Sequence, residues 1–569
     1  MTITTTIASA DKTASKRMVL SSVVTRTAGG LLAWLIVIYS LSLISLALGQ
    51  GIWDNTATIA LLAIPLWVVL AHERDEGGSW WVNINAVLLA VAIIAAGFLF
   101  SREYVDQAWD STAYHQEAIL QMVDGWSDFP DKLPESTPYR NNIDTYPKAP
   151  WVISASIYSA TASLEGAKLL HVVLFACAFL FLFGALLQVP PASSSHVSSV
   201  AALLIAAAAA LNPVVIYQSL SFYVDGQLSS LITALLGLIL LMSGGVRRHH
   251  LLLLAALIVL MINTKQTGVV YAGILTIALL VLLYVHQREW FKRTLIATVI
   301  SGLLGAGVFG YSPYVTNTIN HGNPVYPILG RGDVDFETGH RPPDFNEMNG
   351  VNRLIRSTFS EPTVAKDAPS VLRIPLTMTQ DKFISRFWGS DIRLGGWGVL
   401  FSGALTLSLL GLLLLRFVPG KPRTVGLILL GAVAFSGLIN PEAWWARFAP
   451  QWYLVALIPA AMLLFGTKLA VRAFGLVIVL VLLVNSSLVA YNYYPFNKEL
   501  TAKHHDFLQL IVDLNLPITI YFGAFPSNRI RLQEAGISYQ AVESASQLAC
   551  KQPHQIFTYE GMFCVDGER

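Results

Sequence analysis

The residues best suited to chemistry lie between Tyr104 and Trp151. This stretch opens Tyr-Val-Asp-Gln-Ala-Trp-Asp-Ser-Thr-Ala-Tyr-His-Gln-Glu-Ala-Ile, which places Asp110 and Tyr114 one helical turn apart and Glu117 on the next turn. It closes Tyr-Pro-Lys-Ala-Pro-Trp, with Tyr146 and Lys148 on either side of Pro147 and a second proline at Pro150. A proline pushes the residue before it toward extended backbone, so the sequence predicts a stiff, non-helical strap presenting Lys148 just ahead of a helix that starts near Pro150. A carboxylate on a helix can then face an ammonium on a strap. That pairing suits a reaction in which a hydroxyl loses its proton while an anion is held nearby.

Other ionisable residues sit beside apolar runs, where charge is costly and usually functional. Asp225, in Ser-Phe-Tyr-Val-Asp-Gly-Gln, occupies a short turn between two runs. Lys265, in Asn-Thr-Lys-Gln-Thr, follows the run Leu251 to Ile262, which at about 1.5 Å per residue covers little more than half of a bilayer core. That sinks Lys265 below the surface, where an ammonium needs an anion. Arg447, in Glu-Ala-Trp-Trp-Ala-Arg-Phe-Ala-Pro-Gln-Trp-Tyr, enters the next run among aromatic side chains and offers a fork for phosphate. Plainer roles compete with each assignment: helix capping for Asp110 and Asp225, snorkelling for Lys265, and an interfacial aromatic belt around Arg447. Asp106, a turn before Asp110, is an alternative acid. Asp124, Asp128 and Asp131 read as ordinary loop acids.

The elements that must position these residues are membrane helices. The chain has 569 residues, 54% of them hydrophobic and 13% charged, and a mean hydropathy of +0.57. Soluble proteins carry about twice that share of charge. The runs long enough to span, or nearly so, are Leu31 to Leu48, Thr58 to Ala71, Ile84 to Phe100, Leu169 to Val189, Val200 to Tyr217, Leu228 to Met242, Leu251 to Ile262, Val269 to Val285, Leu295 to Tyr311, Val399 to Leu415, Val425 to Ile439, Trp452 to Phe465 and Phe474 to Val489. They predict about thirteen transmembrane helices, the first a signal anchor. The serine-dotted run from Trp151 to Leu164 reads as a helix lying along the membrane surface.

Lys12, Lys16, Arg17 and Arg26 precede the first run, and alternate connections carry Arg74, Arg247, Arg248, Arg288, Lys292, Arg293, Arg416, Lys421, Arg423, Lys468 and Arg472. By the positive-inside rule that side, with the N-terminus, is cytoplasmic, while the connection at Pro190 and Pro191 carries no charge. Residues 1–490 then form a multi-spanning domain with long outer loops at 101–150 and 316–394. Residues 491–569 form a small extracytoplasmic α/β domain, with a helix at Ala502 to Leu514, a helical segment at Asn528 to Ala535, and strand-like segments at Ile518 to Phe522, Ser538 to Val542 and Gln555 to Tyr559. Outside the cytoplasm Cys550 and Cys564 could pair. No cysteine or histidine spacing marks a metal site, no cofactor is expected, and no nucleic acid is expected as a partner. Chemistry in the outer loops has no access to cytoplasmic nucleotide sugars or ATP, so an activated substrate must arrive in the membrane.

Asp110 to Ala118 resembles the Asp-Glu-x-x-Tyr-x-x-x-Ala signature in the first outer loop of the GT-C superfamily of glycosyltransferases, particularly the protein O-mannosyltransferase and aminoarabinose (lipid A) transferase branch, although Ser111 stands where that signature has Glu. Lys148-Ala-Pro-Trp is similar to the same branch's Lys-Pro-Pro motif, and the Asp225 turn, the Lys265 turn and Arg447-Phe-Ala-Pro follow in that family's order. The resemblance implies a GT-C-like fold in a bacterial inner (plasma) membrane. It implies an inverting transfer of a sugar from a polyprenyl-phosphate-linked donor to a glycan, lipid or protein acceptor on the outer face. The catalytic residues would be Asp110 as base and Asp225 as orienter, with Lys148, Lys265, Arg447, Tyr114 and Tyr146 contacting substrate. The alternatives are a lipid-diphosphate-linked polysaccharide polymerase or ligase, which would use Arg353, Arg356, Arg373, Arg386 and Arg393 of the second loop, and a transporter or flippase.

Overall fold

The computed structural model describes residues 2–72, 80–127, 133–188, 199–327, 338–378, 389–514, 516–550, 553–555 and 561–565, with side chains from residue 15 on. Arg74, Asp128, Asp131, Pro190, Pro191, Arg386, the side chain of Lys12 and residues 556–559 of the last expected strand lie outside them. Among the described residues eight helices are long and apolar enough to cross a membrane: α1 (Ser15–Ala47), α3 (Trp80–Arg102), α4 (Glu165–Gln188), α6 (Asp225–Gly244), α8 (Thr267–His286), α9 (Arg288–Phe309), α11 (Gly420–Leu438) and α13 (Leu469–Leu514). Five shorter apolar helices alternate with them, namely α2 (Thr56–Leu70), α5 (Ser199–Ala210), α7 (Arg248–Thr264), α10 (Phe401–Phe417) and α12 (Trp452–Leu464). Each of the thirteen runs in the sequence falls on one of these helices. The run Val200 to Tyr217 is broken, because Asn212 caps a new helix through its side chain (Val214 N–H to Oδ1, 3.0 Å) and Pro213 starts it.

The centre of the bundle is α4 packed between α1 and α6. α4 and α6 are apolar nearly all round and are buried accordingly. Their backbones touch: a Cβ on Gly237 would stand 2.6 Å from the backbone nitrogen of Leu182. Such contact through small residues is how helices pack where lipid removes the hydrophobic drive for association. α9 has the opposite character, exposing Leu303 and Val308 on an apolar outer face, as a helix at the lipid boundary would.

Two local expectations are corrected. The helix after Lys148 (Ala149–Thr161) does not lie along a surface but is buried from Ala149 to Ile157, packed on α1, α2 and α7, its serines satisfied inside the protein, as in the 2.7 Å bond between Ser156 and Ser42. Small hydroxyl residues gave it a surface-like composition, although they serve helix contacts equally well. Lys148 is not on an extended strap: Tyr146, directly before Pro147, is extended, whereas Lys148 already has near-helical dihedrals at the helix start.

α13 runs without a break past residue 490 to Leu514 and leads into a four-stranded sheet of order β2-β1-β4-β3, formed by β1 (Ile518–Tyr521), β2 (Tyr539–Ala541), β3 (His554–Gln555) and β4 (Met562–Val565). β1 pairs parallel with β2 and antiparallel with β4. Cys550 and Cys564 form a disulfide across this module.

Candidate active site

The turns at one end of the bundle converge, and they carry the ionisable residues singled out in the sequence. Asp225 starts α6, Lys265 is the single extended residue between α7 and α8, and Arg447 lies on a one-turn helix (Ala446–Phe448) ahead of α12. Residues 104–118 cross above them.

Asp110 stands at a helix start but makes no capping bond. Its carboxylate accepts from Arg447 (Nη1 to Oδ2, 2.7 Å), across 337 residues of sequence, and its backbone N–H donates to the Tyr223 hydroxyl at 3.3 Å. Asp225 caps nothing either: Gln218 takes over by accepting from the Gly226 N–H at 2.7 Å, and its side-chain amide donates to Asp225 Oδ2 at 3.1 Å. Asp225 Oδ1 is thereby left to Lys265, in a buried ion pair whose ammonium also lies 4.1 Å from the centre of the Phe448 ring. Asp106 is a clamp. Its two carboxylate oxygens accept from the Phe222 and Ala108 N–H groups at 2.8 and 2.9 Å, which ties its own loop to the turn before α6, and burial pushes its carboxyl above the usual range.

A second acid reaches Arg447 that the sequence reading did not single out. Asp391 Oδ1 lies 3.4 Å from Arg447 Nε, an ion pair without hydrogen-bond alignment, and accepts from Trp445 Nε1 at 2.7 Å. Burial raises the Asp391 carboxyl, with Arg447 and Arg393 pulling the other way. Burial would likewise weaken the charge on Arg447, but Asp391 and Asp110 outweigh it and hold the guanidinium protonated. The only sequence signal for Asp391 was an acid two residues before an arginine in a loop already rich in arginine.

Asp110, Asp391 and Arg447 border a cavity of about 480 Å³, together with Tyr223, Arg393 and Trp445, and α13 closes one side through Phe496 and Leu500. Arg393 has its guanidinium 4.5 Å from the centre of the Trp445 ring. Three other arginines of that set are engaged elsewhere: Arg353 on Glu442 at 2.9 Å, Arg356 on Ser370 at 2.7 Å, and Arg373 on the Gly398 carbonyl at 2.9 Å.

Asp225, Lys265, Tyr114, Tyr146 and Lys148 lie behind the cavity wall and do not line it. The charges of Asp110, Asp225, Arg447 and Lys265 all act on His115, so the groups form one electrostatic cluster. Burial pushes the His115 imidazole down to about 4 and raises the Tyr114 and Tyr146 phenols well above their ordinary value. His115 is therefore neutral near pH 7 and accepts from Trp151 Nε1 at 2.7 Å. Lys148 donates to the carbonyls of Asp144 and Tyr146 at 3.1 and 2.7 Å and lies 5.5 Å from the centre of the Trp151 ring.

Family models, curated proteins and solved structures give no match to the chain. The site has to be read from its own chemistry. Among the described residues no group of histidine, cysteine, aspartate and glutamate is placed to hold a metal ion.

The C-terminal module is part of this site's framework. Ser527 Oγ donates to the Thr112 carbonyl at 2.7 Å, Arg529 pairs with Glu117, and the buried Arg531 donates to Glu165, the Asp106 carbonyl and Gln116 at 2.7, 2.8 and 3.0 Å. These contacts fix the segment that carries Asp110 from the side opposite the bundle.

Proposed function

We propose that the chain is a membrane glycosyltransferase that moves a sugar from a polyprenyl-phosphate-linked donor to a hydroxyl of a glycan, lipid or protein acceptor. The observation that carries this reading is the polar cavity at the bundle end, where Asp110 and Asp391 share Arg447. In this reaction the acceptor oxygen attacks the anomeric carbon, the bond from that carbon to the phosphate oxygen breaks, and the hydroxyl proton passes to a carboxylate. Asp110 is assigned as that base. The lipid phosphate leaves as an anion and needs positive charge more than a proton donor, a need that Arg447 and Arg393 on the same wall can meet. Lys265 and Asp225 set the field behind the wall, and Lys148 braces the Tyr146 turn.

All thirteen apolar helices cross the membrane in this reading, with the N-terminus in the cytoplasm and the cavity and C-terminal module outside. The ordered placement of the basic connections supports that orientation, as does the disulfide, which persists in oxidising compartments. The short motifs that resemble those of the GT-C superfamily agree with this reading. Two arginines on one cavity wall also favour a second reading, a polymerase or ligase acting on lipid diphosphates.

Product formation by membranes carrying Asp110→Asn or Asp391→Asn tests the base. Loss of a general base lowers turnover by about a hundredfold or more, and this is the expected outcome for Asp110→Asn. Near-normal turnover by that variant, with Asp391→Asn inactive, transfers the role to Asp391.

A further inference from the structure

At the opposite end of the bundle lies a larger cavity of about 540 Å³, distinct from the candidate active site and of different chemistry. It is a groove between α4, α6, α11 and α12, walled by side chains such as Leu186, Leu240, Leu429, Leu457 and Met462. Ile458 and Ala461 on its wall are only half-buried, so the groove opens sideways. Apart from Thr233, whose hydroxyl donates to the Ser229 carbonyl at 3.0 Å, its polar groups gather at the end, at Gln188, Ser243 and Lys421, next to Met18.

Water has little to hold it along these walls, since a stable site for it needs two or more polar partners. Left empty, the lining would lose dispersion contacts in proportion to the space. An apolar chain satisfies both conditions, and the mouth says what its head must be. Lys421 is exposed there in the first turn of α11, which holds no acidic residue, and among the described residues it has no carboxylate partner. A cation in the first turn of a helix complements an anion at the open end of an apolar slot.

We propose that this groove binds one anionic phospholipid of the adjacent leaflet, with an acyl chain between α11 and α12 and its headgroup phosphate at Lys421. The site is independent of the sugar-transfer reading and stands or falls separately from it. In the orientation proposed above, it faces the leaflet in which anionic lipids meet basic connections.

The test uses the full-length protein, washed in detergent and offered an equal mixture of phosphatidylglycerol and phosphatidylcholine with matched chains. Lipid retained after gel filtration is counted by native mass spectrometry. The expected result is a single retained phosphatidylglycerol, favoured by about fivefold through the one cation engaged. Ala461→Phe, which fills the groove, should lose it. Lys421→Ala should keep lipid but lose the preference between headgroups. Equal retention of the two lipids by the parent, no retained lipid, or undiminished retention by Ala461→Phe overturns the proposal. Should Ala461→Phe not fold, phosphatidylglycerol with a photoreactive chain is crosslinked to the parent instead. Labelled peptides from α11 and α12 support the site, and labelling confined to other helices overturns it.

Discussion

Replacing Lys265 by methionine separates two roles for this residue. The Lys265 and Asp225 side chains are 8% and 3% exposed, so neither charge is solvated by water, and each depends on the other. Removing one member of a buried pair costs about 3–5 kcal/mol because the remaining charge is left uncompensated. The charge of Arg447 acts on Asp225, and Gln218 donates to it, so Lys265→Met should fall at the lower end of that range. Asp225→Leu strands an ammonium in a cluster that already holds Arg447 and should fall at the upper end. At about 1.4 kcal/mol per tenfold, these losses lower the folded-to-unfolded ratio by roughly two to nearly four orders of magnitude. The double variant Asp225→Leu with Lys265→Met removes both charges and should recover most of the loss, since apolar replacement of a whole buried pair is often neutral. Equilibrium unfolding of the purified protein in mixed micelles measures all three variants. If Lys265→Met is as stable as the parent but no longer binds the lipid-linked donor, the ammonium serves a ligand and not Asp225, and the reasoning is wrong.

Two further variants probe the framework. Arg531→Met removes the buried guanidinium that joins the C-terminal module to Glu165, Gln116 and the Asp106 carbonyl, so amide exchange across residues 104–118 should quicken while the bundle helices keep their protection; unchanged exchange there would show that the module does not support the site. His115 has its folded value near 4 against about 6.5 unfolded, so its contribution to stability is complete above pH 6.5 and is lost as pH falls toward 4. His115→Phe should flatten the decline in stability over that window, and an unaltered slope would mean that other groups set it.

Much of the fold was legible because a bilayer imposes length and hydropathy on the helices that cross it, and the apolar runs fall on eight helices long enough to do so and on five shorter ones among the described residues. The residues brought to one end were legible for the same reason: Asp225, Lys265 and Arg447 each flank a run. Pairing was not. Nothing local links Asp110 to Arg447 or Asp225 to Lys265, and both lysines expected to contact substrate have protein partners, Lys148 in two carbonyls and Lys265 in Asp225. Asp391 lacked any motif and sits in a loop whose course depends on tertiary contacts. In the tail, β1 and β2 follow their β-branched and aromatic residues, whereas β4 escaped notice because its short run Met-Phe-Cys-Val follows a glycine and has no alternation to mark a face.

The central claim, that this cavity consumes a polyprenyl-monophosphate-linked sugar, is tested most directly by mass spectrometry of lipid-linked sugars extracted from cells that lack the protein, compared with cells carrying the parent chain or Asp110→Asn. The account predicts that an intact polyprenyl-monophosphate sugar accumulates both without the protein and with Asp110→Asn, and falls when the parent is restored. An unchanged monophosphate pool, or accumulation of a diphosphate-linked chain in its place, would contradict it.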